Sequence, residues 1–147
     1  MLTNASIEDD VRSALQADPR LKDPAEVAID VKEGDVILRG TVGSIPQRRA
    51  AARDARAVEG VYKVYDELEV RPLDENRRQD ADIRAAALQI LMWDSEVPDS
   101  IDVKVESGWI TITGTVSFQY QSDAAYDDVA SLLGAYGITN KIKVVTF

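Results

Sequence analysis

Residues 31–42 read Val-Lys-Glu-Gly-Asp-Val-Ile-Leu-Arg-Gly-Thr-Val. Glu-Gly separates a run of alternating apolar residues that begins at Val27 from a second run that ends at Val42. The pattern returns 74 residues later, where residues 105–116 read Val-Glu-Ser-Gly-Trp-Ile-Thr-Ile-Thr-Gly-Thr-Val. The offset then continues without a gap, since Gly60 corresponds to Gly134 and Val70 to Val144. A repeat this long indicates that one small module has been duplicated.

The alternation within each stretch predicts two half-buried strands of a β-hairpin. Gly34 and Gly108 supply the positive φ that the turn requires. Gly40 and Gly114 lie on the inward phase of the second strand, where we expect a helix to approach closely. We interpret all of these glycines as structural positions rather than ligand contacts. A third strand is predicted from the alternation of Val64, Leu68 and Val70.

A helix is predicted on each side of the hairpin. The first covers residues 7–17, with Ser6 as its N-cap. The second begins after Ser44 as N-cap and ends at Gly60 as C-cap, with Gly134 as the equivalent C-cap in the second copy. Each copy therefore has the order αββαβ, which predicts an α+β fold with two helices on one face of a three-stranded sheet.

This order predicts a first domain at residues 1–71, a polar linker at 72–79 and a second domain at 80–147. If Val11 corresponds to Ile83, the second copy has two more residues between its first helix and its first strand.

Composition restricts the classes of function. The 147 residues carry a net charge of −9 and include neither Cys nor His. Disulfides and thiolate chemistry are thereby excluded, and the commonest general base and metal ligand is missing. An acidic surface repels phosphate backbones, so nucleic acid is not an expected partner. We expect no catalytic residues, no metal and no cofactor.

The first ten residues lack the basic and apolar regions of a signal peptide, and no stretch of the sequence has the length of a membrane-spanning helix. The sequence therefore predicts a cytoplasmic protein that attaches at most peripherally to a membrane.

The repeated pattern resembles the BON domain, a bacterial module of osmotic-stress, nodulation and membrane-associated proteins. The resemblance rests on residues 31–42 and 105–116, and on 58–68 and 134–142, which are close to the family's Val-x-Gly-Val-x-x-Val-x-Asn-x-Leu/Ile. Asp66 stands where Asn is usual. The resemblance implies a non-enzymatic module that binds phospholipid surfaces or envelope-associated proteins, with a role in stress.

Basic residues form a stripe on the second helix of the first copy: Arg49, Arg53 and Arg56 follow i, i+4, i+7, with Arg48 beside them. A stripe of this kind can meet anionic lipid headgroups, at about 1 kcal/mol per basic residue. The alternative is a solvated helix face. The corresponding positions of the second copy are Asp123, Asp127 and Ala130.

Apolar residues on the outward phase of the second sheet, Trp109, Val145 and Phe147, suggest a docking surface. The alternative is that they pack copy against copy. Three further aromatic residues flank the second helix pair and are expected in the core or between the copies, with the membrane interface as the alternative: Trp93, Phe118 and Tyr120.

Polar residues on the inward phase of the third strand, Asp66 and Asn140, require hydrogen-bond partners. We expect them to close a local turn or bulge, with a ligand contact as the alternative. Asp123, Asp127 and Asp128 are candidate cation ligands, although a solvated acidic helix face is the favoured interpretation. Beside lipid or envelope attachment, the sequence leaves open a soluble module for a small ligand or cation, and a protein adaptor that uses the outer sheet face.

Overall fold

The computed structural model describes residues 2–21, 26–72 and 78–145. It contains two compact units, Met1–Arg71 and Pro72–Phe147. Of the expected linker at 72–79, residues 73–77 lie outside the described residues, and so does Phe147.

The first unit has two helices and a three-stranded sheet. Its elements are α1 (Asn4–Ala17), a short 3₁₀ turn (Pro19–Leu21), β1 (Glu26–Lys32), β2 (Asp35–Val42), α2 (Ile45–Arg56) and β3 (Lys63–Val70). The strand order is β1-β2-β3. β1 and β2 are antiparallel because a two-residue turn joins them, whereas β2 and β3 are parallel because α2 crosses over between them.

The second unit repeats this order. Its elements are α3 (Asp80–Met92), β4 (Asp102–Glu106), β5 (Trp109–Val116), α4 (Gln119–Ala130) and β6 (Gly137–Val144). β5 is the central strand, antiparallel to β4 and parallel to β6. The predicted α+β fold, with two αββαβ modules, is confirmed.

The core of each unit lies between the helices and one face of the sheet. In the first unit, Val11 of α1 and Ala51 of α2 are fully buried above Leu38 of β2. In the second unit, Ile83 and Ile112 are buried in the same way. The inward alternation predicted for the hairpin strands is therefore correct.

The predicted start of the first helix is wrong by one turn. The cap is Thr3, whose Oγ1 accepts a hydrogen bond from the Ser6 amide at 3.1 Å, while the Ser6 hydroxyl accepts one from the Thr3 amide at 2.9 Å. The earlier start brings Asn4 to the hairpin, where its Oδ1 accepts a hydrogen bond from the Glu33 amide at 3.0 Å. The helix is thus fixed to the hairpin by its first residue.

The roles expected for two pairs of glycines are also wrong. α2 ends at Arg56, so Gly60 is not its C-cap; a Cβ at Gly60 would lie 3.0 Å from the Cδ1 of Ile7 on α1. Gly134 likewise follows the end of α4 by four residues. Gly40 has φ +129°, and a Cβ there would overlap the carbonyl oxygen of Glu26. The close approach at Gly40 therefore comes from β1 and not from a helix.

The loop length expected for the second copy is wrong as well. The Ser107 amide donates to Asp80 Oδ2 at 2.8 Å, as the Glu33 amide does to Asn4. Asp80 therefore corresponds to Asn4, and Ile83 corresponds to Ile7 rather than to Val11. Counted from Asn4 to Glu33 and from Asp80 to Ser107, the second copy has two residues fewer between the start of its first helix and its hairpin, rather than two more.

Candidate functional site

The arginine stripe on α2 divides into two parts. Arg53 and Arg56 are exposed and Arg49 is half-buried, on the side of α2 away from the buried Ala51 and Ala55. Arg48 turns toward the sheet, where its Nε donates to Asp66 Oδ2 at 3.0 Å. Arg49, Arg53 and Arg56 thus share one helix face, and we call them the arginine face. Arg48 is not part of it.

Asp66 and Asn140 each connect the third strand of their unit to its second helix, β3 to α2 and β6 to α4. Asp66 Oδ1 accepts from the Leu68 amide at 3.0 Å, and its other oxygen accepts from Arg48. Asn140 Oδ1 accepts from the Ile142 amide at 2.9 Å, and its Nδ2 donates to the Ser122 hydroxyl at 3.0 Å. The hydrogen-bond partners expected at both positions are present, but β3 and β6 continue through them without a turn or bulge. Each residue instead forms a latch to the helix.

The arginine face has no counterpart on α4. Its positional equivalents are two exposed carboxylates, Asp123 and Asp127, and the buried Ala130. Within the residues that the structure describes, no group of three acidic side chains is arranged to hold a metal ion, and this includes Asp123, Asp127 and Asp128.

The outer face of the second sheet carries Trp109, which is 45% exposed as expected from the outward phase. Its Nε1 donates to Thr139 Oγ1 at 2.8 Å on the neighbouring strand. The indole ring lies over Gly137, where a Cβ would come within 2.5 Å of two ring carbons. Val145 follows β6 and is also exposed. The ring is therefore oriented by β6 while one side remains accessible.

An open pocket of about 350 Å³ lies beside this indole on the outer sheet face. Its lining residues come from all three strands: Lys104, Glu106, Trp109, Thr111 and Lys141.

The helical side of the second unit also exposes aromatic residues. Trp93 is 75% exposed, and the exposed rings of Phe118 and Tyr120 stack with their centroids 5.7 Å apart. Burial of these three residues in the core of the unit is therefore wrong, because Trp93 and Phe118 stand at helix caps and Tyr120 lies in the first turn of α4. The alternative of packing between the copies stays a prediction.

A pair of carboxyl groups between the two helices of each unit was missed from the sequence. In the first unit, Asp18, at the end of α1, meets Asp54 on α2. Arg20 joins them, with Nη2 2.7 Å from Asp18 Oδ2 and 3.6 Å from Asp54 Oδ1. Burial, and then the hydrogen bond to Asp18, raise the pKa of Asp54 to about 6. Arg20 chiefly, through its hydrogen bonds, holds the pKa of Asp18 well below its usual value.

The second unit has the same pair without the arginine. Asp94 meets Asp128, and Glu96 occupies the position of Arg20. The pKa of Asp128 is raised to about 7, chiefly by burial. The hydrogen bond to Asp94 is the next largest cause, followed by the charges of Asp94, Asp127 and Glu96. Among the described residues, none donates a hydrogen bond to Oδ2 of Asp128, which is buried. The recurrence of Asp at 18 and 94 was detectable in the sequence once the first helices were correctly aligned.

None of the helices in the described part of the chain has the length and apolarity needed to span a membrane.

The comparison with known proteins now assigns the family. The model of the BON domain matches residues 3–72 and 79–146. The chain belongs to the BON-domain family. The resemblance noted in the sequence is thereby confirmed, and the chain is a tandem BON protein.

Two relatives are similar to this BON protein over nearly its whole length. Osmotically-inducible protein Y of Escherichia coli K12 is 32% identical over 148 residues, which cover 97% of this chain and 73% of that protein. Outer membrane lipoprotein DolP of Haemophilus influenzae is 30% identical over 150 residues, 99% of this chain and 75% of that protein. The expectation of a cytoplasmic location gains no support from these names, since one of them is an outer membrane protein.

Among solved structures, CdsD, a structural protein of the type III secretion system of Chlamydia trachomatis, aligns over 95% of this chain and 92% of its own. The identity is 10% and the TM-score 0.43, so the family assignment rests on the sequence matches.

Proposed function

We propose that this tandem BON protein is a non-enzymatic, envelope-associated binding module that attaches to anionic phospholipid through the arginine face of its first domain. The relatives named for osmotic induction and for the outer membrane support an envelope setting and a role in stress.

The observation that carries this proposal is the arginine face itself. The chain has a net charge of −9, and an acidic protein is repelled by an anionic bilayer unless cations are concentrated locally. Arg53 and Arg56 provide such a concentration, because both are exposed on the same side of α2 as Arg49. Arg48 does not contribute, since its guanidinium is held by Asp66.

Co-sedimentation with vesicles tests the proposal. We expect the chain to sediment with phosphatidylglycerol-containing vesicles at low salt, and to remain in solution with pure phosphatidylcholine vesicles or at high salt. Replacing Arg53→Glu and Arg56→Glu removes two favourable charges, about 2 kcal/mol, so binding should weaken roughly thirty-fold or more.

A matched variant controls for the change in net charge. Arg12→Glu and Arg39→Glu alter the charge equally at exposed positions on α1 and β2, in surface ion pairs that contribute little to stability. We expect this variant to bind nearly as well as the parent chain. Equal losses in the two variants would show that only net charge matters, and unchanged binding after the α2 substitutions would contradict the proposed lipid site.

A further inference from the structure

The basic residues of the second domain are concentrated on its outer sheet face. Residues 73–147 contain 12 acidic and 6 basic residues. Three of the six basic residues, Lys104, Lys141 and Lys143, lie on the outward phase of β4 and β6, together with only two acidic residues, Asp102 and Glu106. The sheet face is therefore net positive in a domain that is otherwise strongly acidic.

Ion pairs leave a subset of these charges uncompensated. Lys104 Nζ lies 3.0 Å from Glu106 Oε1, and Arg84 Nη2 lies 3.3 Å from Asp102 Oδ1. Neither Lys141 nor Lys143 forms an ion pair with any residue in the described ranges. The carboxylates of this face are thus already neutralised, and the positive charge of β6 is available to a ligand.

The pocket beside Trp109 combines this charge with an aromatic wall. Trp109 forms one wall, with its orientation set by Thr139 and Gly137. Lys141 lines the same pocket, and Thr111 lies on the central strand opposite Thr139. A volume of about 350 Å³ fits a small organic molecule.

The first domain has different chemistry at the same sheet positions. Asp35 stands where the second domain has Trp109, Ile37 where it has Thr111, and Glu67 where it has Lys141. Glu67 is 3.7 Å from Arg39 in an ion pair of its own. The BON framework therefore does not require the tryptophan or the lysine, which belong to the second domain alone.

We propose that this pocket binds a small organic anion whose phosphate, sulfate or carboxylate group meets Lys141 and the Thr111 hydroxyl while a flat ring or apolar part lies on Trp109. Lysine is a point charge that forms charge-assisted hydrogen bonds to such groups, and indole presents a large apolar face. No residue of the pocket belongs to the arginine face, so this site is independent of the proposed lipid attachment.

The two tryptophans of the chain allow a direct readout. Trp93→Phe leaves Trp109 as the only tryptophan, so its fluorescence and its indole N–H NMR resonance report on the pocket. We expect phenyl phosphate to shift both signals saturably in the millimolar range. Phenol, which lacks the charge, and inorganic phosphate, which lacks the ring, should each bind about tenfold more weakly.

Two lysine variants distinguish binding in the pocket from a general electrostatic attraction to the whole sheet face. Lys141→Ala should weaken phenyl phosphate binding about tenfold, because it removes a charge-assisted hydrogen bond. Lys143→Ala removes the same charge from the same strand outside the pocket and should have little effect. Both positions are exposed, and an unchanged circular dichroism spectrum checks that each variant is folded.

Three results would overturn the proposal. The first is the absence of any saturable response to phenyl phosphate up to about 10 mM. The second is an equal loss of phenyl phosphate affinity in the two lysine variants, which would indicate attraction by the net charge of the face rather than binding in the pocket. The third is a Trp109 response to phosphatidylglycerol vesicles without one to phenyl phosphate, which would identify a lipid surface instead. Arg53→Glu with Arg56→Glu should leave phenyl phosphate binding unchanged, so failure of one proposal is distinct from failure of the other.

Discussion

The carboxyl pair Asp94–Asp128 should make the second domain less stable at neutral than at mildly acidic pH. The pKa of Asp128 is raised from an ordinary value of 3.8 to about 7 in the folded chain. Between these values the folded chain binds a proton that the unfolded chain has lost. The free energy of unfolding therefore falls as pH rises through this window and is constant above it.

The magnitude follows from a single proton. The slope cannot exceed about 1.4 kcal/mol per pH unit, and the full gap between 3.8 and 7 would give about 4 kcal/mol. Asp128 is only partly buried, so solvent screening reduces this figure, and we expect about 1–2 kcal/mol between roughly pH 4.5 and 7.5. Asp94 does not oppose the trend in this range, since its lowered pKa matters only below about 3.8.

Tryptophan fluorescence is a selective assay, because Trp93 and Trp109 both lie in the second domain. Urea unfolding of the parent chain at several pH values should show the decline, and Asp128→Asn should remove most of it, since an amide needs no proton. Asp99→Asn, an exposed change of equal charge in the same domain, should retain it. A stability that rises from pH 4.5 to 7.5, or a decline of equal size in Asp128→Asn, would refute the reasoning.

Three further substitutions follow from the contacts. Glu96→Arg installs the residue that the first domain has at this position, so the pKa of Asp128 should fall in a carboxyl NMR titration; an unchanged titration would show that Glu96 does not act on the pair. Gly137→Ala should displace the Trp109 ring, because a Cβ would lie 2.5 Å from its carbons, and should shift its indole N–H resonance; an unshifted resonance would argue against the ring's position. Thr3→Ala removes the N-cap of α1 and should lower the free energy of unfolding of the first domain by about 1 kcal/mol, as followed by circular dichroism. No loss of stability would mean that the helix starts elsewhere.

The framework of the fold was predictable because its signals are local. The turn at Gly34 and the alternation around Leu38 each depend on neighbouring residues, and both recur in the second copy. The need for a partner at Asp66 was also predictable, since a polar residue on an inward phase must be hydrogen-bonded. The start of α1 was missed because Thr3 and Ser6 are both good caps, and only the contact with the hairpin decides between them.

The candidate sites were less predictable because their contacts join distant residues. Adjacency in the sequence groups Arg48 with Arg49, but only the position of Asp66, 18 residues away from Arg48, shows that the guanidinium of Arg48 is already paired. The pair of Asp18 and Asp54 was missed because nothing in either local sequence indicates that α1 ends beside α2. Trp109 was correctly expected on the outer face, but its pocket requires Lys141, which only the strand register brings near.

The two latches between helix and third strand have different chemistry, so the two contacts differ in their sensitivity to salt. In the first domain the latch is an ion pair, Arg48 with Asp66, in which both side chains are partly exposed. In the second it is an uncharged bond between Asn140 and Ser122. Dissolved ions screen the attraction of partly exposed charges but have little effect on a neutral hydrogen bond. A rise in ionic strength should therefore weaken the latch of the first domain and leave the latch of the second unchanged, so the duplication has kept the contact between helix and third strand while making it sensitive to salt in one copy only.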